Sequence, residues 1–172
     1  VRCLDSIIKQ TVFSEILILV VIDGFIEEPL RETINKYLSE ISEHMSVINL
    51  KVNKGFAQAL NLGLQNTLTD YVARIDPDDI ALEKRAEIQR DFLNSNLEFS
   101  VVGNDVELID EHGFSSGVRF YPKSDKGLVN YSKIRSPLAH PSVMFRRKDV
   151  LSVGGYPNFR KAQDYALWGT LI

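Results

Sequence analysis

Ile16-Leu17-Ile18-Leu19-Val20-Val21-Ile22-Asp23-Gly24 reads as a strand with no polar side, ended by a turn pair. Seven consecutive apolar residues, most of them β-branched, leave no face for solvent, so helices must cover the strand on both sides. Ahead of it Val1, Leu4, Ile7 and Ile8 fall at helical spacing, and behind it Leu30, Ile34, Leu38 and Ile41 repeat as an amphipathic helix. Residues 47–51 then read as a second strand, Ala57, Leu60 and Leu64 as one face of a helix, residues 71–75 as a third strand and 82–94 as a helix. Strands alternating with helices imply right-handed crossovers, a mainly parallel central sheet and a three-layer α/β domain.

After Asn94 the pattern loosens. Residues 99–109 and 118–121 read as strands, a Gly/Ser/Pro/Lys-rich stretch follows, and another strand is expected over 142–146. Gly154-Gly155 precedes a last helix from about Gln163. Residues 1–172 are expected to form one domain, with an α/β half over 1–95 and a more irregular half over 96–172.

At 44% hydrophobic and 25% charged, the composition excludes disorder and coiled coil. The longest apolar run is seven residues, against the roughly 20 needed to span a bilayer, so no transmembrane helix is expected. Cys3 has no partner for a disulfide or a zinc site, which fits a cytoplasmic protein and a core thiol. The net charge of −3 is unevenly spread: ten basic and twenty acidic residues through Val118, then ten basic and two acidic from Arg119 to Lys161. An acidic body argues against nucleic acid as a partner. The basic section is either a solvated face or one that meets something anionic, such as a phosphorylated substrate or a membrane surface.

Ligands of open parallel α/β sheets bind outside the carboxyl ends of the strands, which places Asp23-Gly24, Asn53-Lys54-Gly55 and Asp76-Pro77-Asp78-Asp79 along one rim. Three carboxylates in four positions repel one another by about 3 kcal/mol per pair at about 5 Å with an effective dielectric near 20, and a divalent cation removes that cost. Hard oxygen donors select Mg²⁺ or Mn²⁺, held by one or two carboxylates together with substrate phosphates. The alternative is a polar turn with Asp78 or Asp79 as the N-cap of the next helix. Asp23 is either a turn residue or an acceptor for a base imide or ribose hydroxyl. The small residues and amides around Lys54, Gly55, Asn61 and Gly63 allow close approach of a ligand or of a neighbouring helix. Asp164, the only acidic residue after Asp149, is either a general base or a complement to a helix dipole, and His140 is either structural or catalytic.

Seven segments occur in a familiar order: C-L-D-S-I-I-K-Q-T at 3–11, L-V-V-I-D-G at 19–24, N-K-G-F-A-Q-A-L-N-L-G at 53–63, R-I-D-P-D-D at 74–79, H-P-S-V-M-F-R at 140–146, G-G-Y at 154–156 and Q-D-Y-A-L-W at 163–168. Together they resemble family 2 inverting glycosyltransferases of GT-A fold, especially the amylovoran-type branch of bacterial exopolysaccharide, capsule and lipopolysaccharide enzymes. The resemblance implies transfer of a sugar from a nucleotide-diphosphate donor, expected to be a UDP-sugar, to a saccharide or lipid-linked acceptor, with a peripheral contact at the inner face of an anionic membrane. It makes residues 1–95 the donor side and 96–172 the acceptor side. It assigns Asp164 as catalytic base, Asp23, Lys54, Gly55, Asp76 and Asp78 to the nucleotide-sugar, and Asp78 with Asp76 to Mg²⁺ or Mn²⁺. Asp79, Gln163 and His140 support them.

The pattern departs from the family at Ile22-Asp23-Gly24, where Asp-Asp-Gly is usual, and at Gln163-Asp164, where Glu-Asp is usual. Each departure retains the assigned Asp. The resemblance also implies a first β-strand ahead of Val1 and a helix continuing past Ile172. A chain lacking them would read instead as a non-catalytic fragment or a nucleotide-binding α/β module.

Overall fold

A computed structural model describes residues 1–172. Helix α1 (Arg2–Ile8) leads into strand β1 (Ile18–Asp23), helix α2 (Glu28–Glu40), strand β2 (Met45–Leu50), helix α3 (Phe56–Asn66), strand β3 (Tyr71–Ala73) and helix α4 (Arg85–Ser95). β1 and β2 pair in parallel through six registered positions, from Ile18 with Met45 to Asp23 with Leu50. Alternation along β1 divides its side chains between two helical layers, as its apolar run demands. Ile18 and Ile22 join Ile34, Tyr37 and Met45 in one core, against Leu4, Ile7 and Ile8 of α1. On the opposite face Leu19 and Val21 meet α3 at Gly63, where a Cβ would sit 3.3 Å from Val21 Cγ2. Gly63 therefore serves helix packing rather than a ligand.

The expectation of a mainly parallel sheet holds only for β1 and β2. β3 and β4 (Val101–Val102) both pair antiparallel with β7 (Met144–Arg146), in the order β3-β7-β4. Three buried residues, Met144, Phe145 and Arg146, thus form the centre of that sheet although they come late in the chain. Apolar content marks such a segment as buried but says nothing of the direction in which it pairs. The expected strand over 99–109 is broken at Gly103, where a Cβ would lie 2.9 Å from Leu138. It resumes as β5 (Val106–Ile109), which forms an antiparallel hairpin with β6 (Ser115–Arg119). β3 also stops at Ala73, two residues before the expected end, although the Arg74 N–H still donates to the Val143 carbonyl at 2.9 Å.

Two helices lie where none was expected. α5 (Asp125–Tyr131) is started by Ser124, whose hydroxyl accepts the Gly127 N–H, and α6 (Arg147–Ser152) follows β7 directly. The chain closes on α7 (Gln163–Leu171). A second core gathers Ala57 and Leu64 of α3, Phe145 of β7, Val150 of α6, and Leu167 and Trp168 of α7. α3 therefore touches β1 on one side and the later elements on the other. No helix is long and apolar enough to cross a membrane.

Substituting Gly63→Val is expected to destabilise the fold by about 1–3 kcal/mol, because two added methyl groups must enter the contact with Val21. Urea unfolding should show a lower midpoint at unchanged slope.

Candidate active site

The rim begins at Asp23. Its carboxylate accepts the backbone N–H of Lys54 at 2.7 Å and of Gly55 at 2.9 Å, while Asn53 Nδ2 donates to the Asp23 carbonyl at 3.2 Å. Gly24 has φ +99°, and a Cβ there would sit 2.9 Å from Asn53 N, so only glycine lets the two loops close. Gly55, at φ +95°, turns the chain into the first residue of α3. A carboxylate at the N-terminus of α3 complements its dipole and accepts the N–H of the N-cap Gly55 and of Lys54 just before it. Asp23 thus holds the Lys54-Gly55 loop, and the Lys54 side chain is left exposed.

That loop delivers Phe56, a ring 48% exposed at the start of α3. The Arg74 guanidinium lies 5.4 Å from the centre of the Phe56 ring, and His140 meets the same ring edge-on at 5.9 Å. Arg74 also donates to the Asp76 carboxylate and to the Ile75 carbonyl. One unbroken series of contacts therefore joins all three turns: Asp23 to Lys54 and Gly55, Phe56 to Arg74, Arg74 to Asp76. The expected common rim is present even though the sheet behind it is not mainly parallel.

The carboxylate turn is tightened by a backbone bond from Asp79 N to the Asp76 carbonyl at 3.1 Å. The same carbonyl accepts the Cys3 thiol at 3.3 Å, so the buried cysteine is a packing residue that ties α1 to the turn. Burial pushes the Asp79 carboxyl up, and the charges of Asp76 and Asp78 push it further. Negative potential in this turn is thus only partly relieved. Asp78 is exposed, and Asp76 is paired to Arg74. No group of three or more His, Cys, Asp or Glu side chains converges into a metal cage. The donor set instead suits a hard divalent cation that takes one or two carboxylates and completes its shell elsewhere.

The later elements pack against the same Phe56 ring through His140. His140 Nε2 lies 3.1 Å from the Tyr156 hydroxyl, and Trp168 packs 6.1 Å from the His140 ring and 6.5 Å from that of Tyr156. Burial, reinforced by the positive charge of Arg74, lowers the His140 pKa to about 4 against an opposing pull from Asp164. Burial likewise pushes the Tyr156 phenol up. Both rings are neutral near pH 7. Asp164 lies in the first turn of α7, one helical turn before Trp168 and therefore on the same face. Its charge is felt by His140 and Tyr156. Gln163, the first residue of α7, is buried, and Ala162 before it takes a left-handed φ of 60°. Asn61 of α3 exchanges two 2.8 Å hydrogen bonds with the backbone of Tyr156, across a gap that a Cβ on Gly155 would close.

Phe56, Arg74 and Tyr156 belong to this arrangement although nothing in their spacing singles them out. The basic section is correspondingly less free than its composition implies. The Arg146 guanidinium is turned inward onto the carbonyls of Leu93, Asn96 and Phe99, and Arg147 donates to that of Leu64.

A parallel β1–β2 pair between helical layers, with a carboxylate turn at the end of a strand, is the architecture of GT-A glycosyltransferases. The structure superposes on TarS of S. aureus, solved with UDP, with a TM-score of 0.73 at 19% identity over 96% of this chain and 48% of that one. It also superposes on the Pyrobaculum calidifontis mannosyltransferase PcManGT, solved with GDP-Man and Mn²⁺, with a TM-score of 0.71 at 16% identity over 95% and 45%. The chain belongs to glycosyl transferase family 2, whose family model matches residues 1–154. It is 32% identical over 167 residues to the amylovoran biosynthesis glycosyltransferase AmsE of Erwinia amylovora. It is 33% identical over 167 residues to an Escherichia coli UDP-Gal:alpha-D-GlcNAc-diphosphoundecaprenol beta-1,3-galactosyltransferase. In each case 97% of this chain is aligned, spanning about three fifths of the relative, 61% and 60% respectively.

His140 is protonated more readily in the unfolded chain, near pH 6.5, than in the folded one. Stability is expected to fall by about 3 kcal/mol between pH 6.5 and 4 through this residue, and to be independent of it below pH 4. Urea titrations across that range should show a slope that flattens in His140→Gln.

Proposed function

We propose that this chain carries the donor site and the catalytic base of an inverting glycosyltransferase of bacterial surface-polysaccharide assembly, taking a UDP-sugar and an acceptor hydroxyl on a saccharide or lipid-linked saccharide. The observation that carries this reading is the joining of the three turns at Arg74, with the Asp164 charge reaching the His140 that meets the same Phe56 ring. The relatives support the choice of substrates, since the Escherichia coli enzyme is named for UDP-Gal and a diphosphoundecaprenol-linked sugar. The TarS structure supports it through bound UDP.

In this reading Asp78, assisted by Asp76, would hold a Mg²⁺ or Mn²⁺ ion beside the donor diphosphate, and Asp79 would support both carboxylates. The ion, when bound, supplies positive charge where the leaving nucleoside diphosphate gains negative charge. Asp23 keeps Lys54 and Gly55 alongside the nucleotide through the loop that it anchors. Asp164 takes the proton of the acceptor hydroxyl as that oxygen attacks the anomeric carbon from the side opposite the leaving group, which inverts the centre. His140, buried and neutral, shapes the acceptor side without moving a proton at pH 7. The basic residues left at the surface of the later half, among them Lys126, Lys133 and Arg160, meet the diphosphate of a lipid-linked acceptor or the anionic leaflet that carries it.

Titration calorimetry with UDP in the presence of Mn²⁺ tests the donor half of this reading. Asp78→Asn is expected to weaken binding at least tenfold, whereas Asp164→Asn should bind UDP as the parent chain does and lose about 10²–10⁴-fold in sugar transfer. A parent chain with no metal-dependent UDP binding overturns the proposal. Flotation with anionic vesicles should show binding that weakens as salt rises, and indifference to both lipid charge and salt excludes the membrane contact.

A further inference from the structure

Arg85 and Gln89, one turn apart on α4, lie behind the carboxylate turn rather than in it. The Arg85 guanidinium donates through Nη2 to the Arg74 carbonyl at 2.6 Å and to the Val143 carbonyl at 3.2 Å, and through Nε to Gln89 Oε1 at 3.2 Å. Gln89 is 1% exposed. Its Nε2 donates to the Ser142 carbonyl at 2.7 Å and to Asn104 Oδ1 at 2.5 Å. The Val143 carbonyl that receives Arg85 also receives the Arg74 backbone N–H at 2.9 Å. One residue pair therefore grips both the point where β3 gives way to Arg74-Ile75-Asp76 and the segment His140–Ser142 with the Val143 that follows it.

Beyond the bond between them, three of their partners are backbone carbonyls and the fourth is Asn104 Oδ1, with no carboxylate in hydrogen-bond contact. Burial lowers the Arg85 pKa to about 10, partly offset by the charge of Asp79, so the guanidinium remains charged at neutral pH. A half-buried cation without an ion-pair partner carries a desolvation cost, and a fold that needed only packing here could use an apolar side chain. Its fork-shaped donor set does what neither an apolar residue nor a lysine can do, reaching two carbonyls of different segments and an amide at once.

We propose that Arg85 and Gln89 are positioning residues that fix the separation between the donor-side carboxylate turn and the acceptor-side His140 segment. The pair acts through backbone: Arg85 sets where Arg74 leaves β3, Arg74 holds Asp76, and Gln89 sets where Ser142 carries His140 against Phe56 and Tyr156. This rests on the glycosyltransferase reading for its consequence in catalysis, but the mechanical coupling stands on the hydrogen bonds alone. Inversion requires the base and the leaving group on opposite faces of one sugar, so a small loss of register between the two segments affects turnover more than donor binding.

The test compares the parent chain with Arg85→Lys, which keeps the charge but not the fork, and with Gln89→Leu, which keeps the volume but not the amide. Amide hydrogen exchange is expected to rise at least tenfold in residues 74–79 and 142–144 together in each variant, with residues 18–23 and 45–50 unchanged as the control for folding. Exchange that rises in one segment only, in neither, or uniformly across the molecule overturns the coupling. In transfer assays Arg85→Lys should keep its KM for the UDP-sugar within threefold while kcat falls at least tenfold. Parent-like kcat, or a KM that rises as far as kcat falls, overturns the positioning role. A parent chain that binds no UDP would defeat the glycosyltransferase reading and still leave the exchange experiment to decide the coupling.

Discussion

Three carboxylates within four residues must be held in one turn against repulsion of about 3 kcal/mol per pair at about 5 Å and an effective dielectric near 20, and much of the surrounding structure answers that constraint. Arg74, just past the end of β3, turns its side chain to pair with Asp76. Arg85 places a second cation behind the turn. The Cys3 thiol brings α1 to the Asp76 carbonyl, so that the first helix also braces the turn. What remains uncompensated shows in Asp79, whose carboxyl is pushed up by burial and by both of its neighbours. The exposed Asp78 is the carboxylate left for a ligand to use. The turn is thus braced on its protein side and still negative on its open side, as the proposed cation and diphosphate would need.

The first half of this arrangement was legible in the sequence because its signals are local. The apolar run at 16–22 suited a strand covered on both faces, and from Ile18 onward it is one, although Ile16 and the exposed Leu17 precede it; the turn residues follow at its end. The second half depends on choices that local pattern does not encode. Met144-Phe145-Arg146 is buried and central, but its antiparallel pairing with both β3 and β4 follows from the path of the chain through His140 and Pro141. Arg146 looked like part of a basic surface because charge patterning counts residues and does not say which side chain turns inward to meet carbonyls. Likewise Phe56 and Arg74 lie in segments that carry the family resemblance but drew no role from it, and they meet only when the start of α3 is set beside the end of β3.

α3 carries the connection between the two halves. Through Gly63 it lies close against β1, and through Ala57 and Leu64 it belongs to the core of the later elements. Its N-terminus is fixed by Asp23 and its middle by the Asn61 exchange with Tyr156. A helix held at these points behaves as a rigid spacer, because its backbone bonds resist bending over so short a span. Displacing α3 would move Phe56 relative to Arg74 at one end and Tyr156 relative to His140 along its length, so the two walls of the site share one reference.

The neutrality of the aromatic wall completes this logic. His140 stands in contact with Phe56, Tyr156 and Trp168, and it feels Arg74 and Asp164 with opposite sign. A protonated imidazole there would repel Arg74, weakening its hold on Asp76, and would attract Asp164, drawing the carboxylate proposed as the base toward an ion pair. Burial, not either charge, is the largest influence on His140 and keeps the ring neutral well below physiological pH. The packing of Trp168 and Tyr156 around the imidazole therefore has an electrostatic consequence. It leaves Arg74 paired with Asp76 and Asp164 outside that pair, the division of charge that the proposed inverting transfer would use.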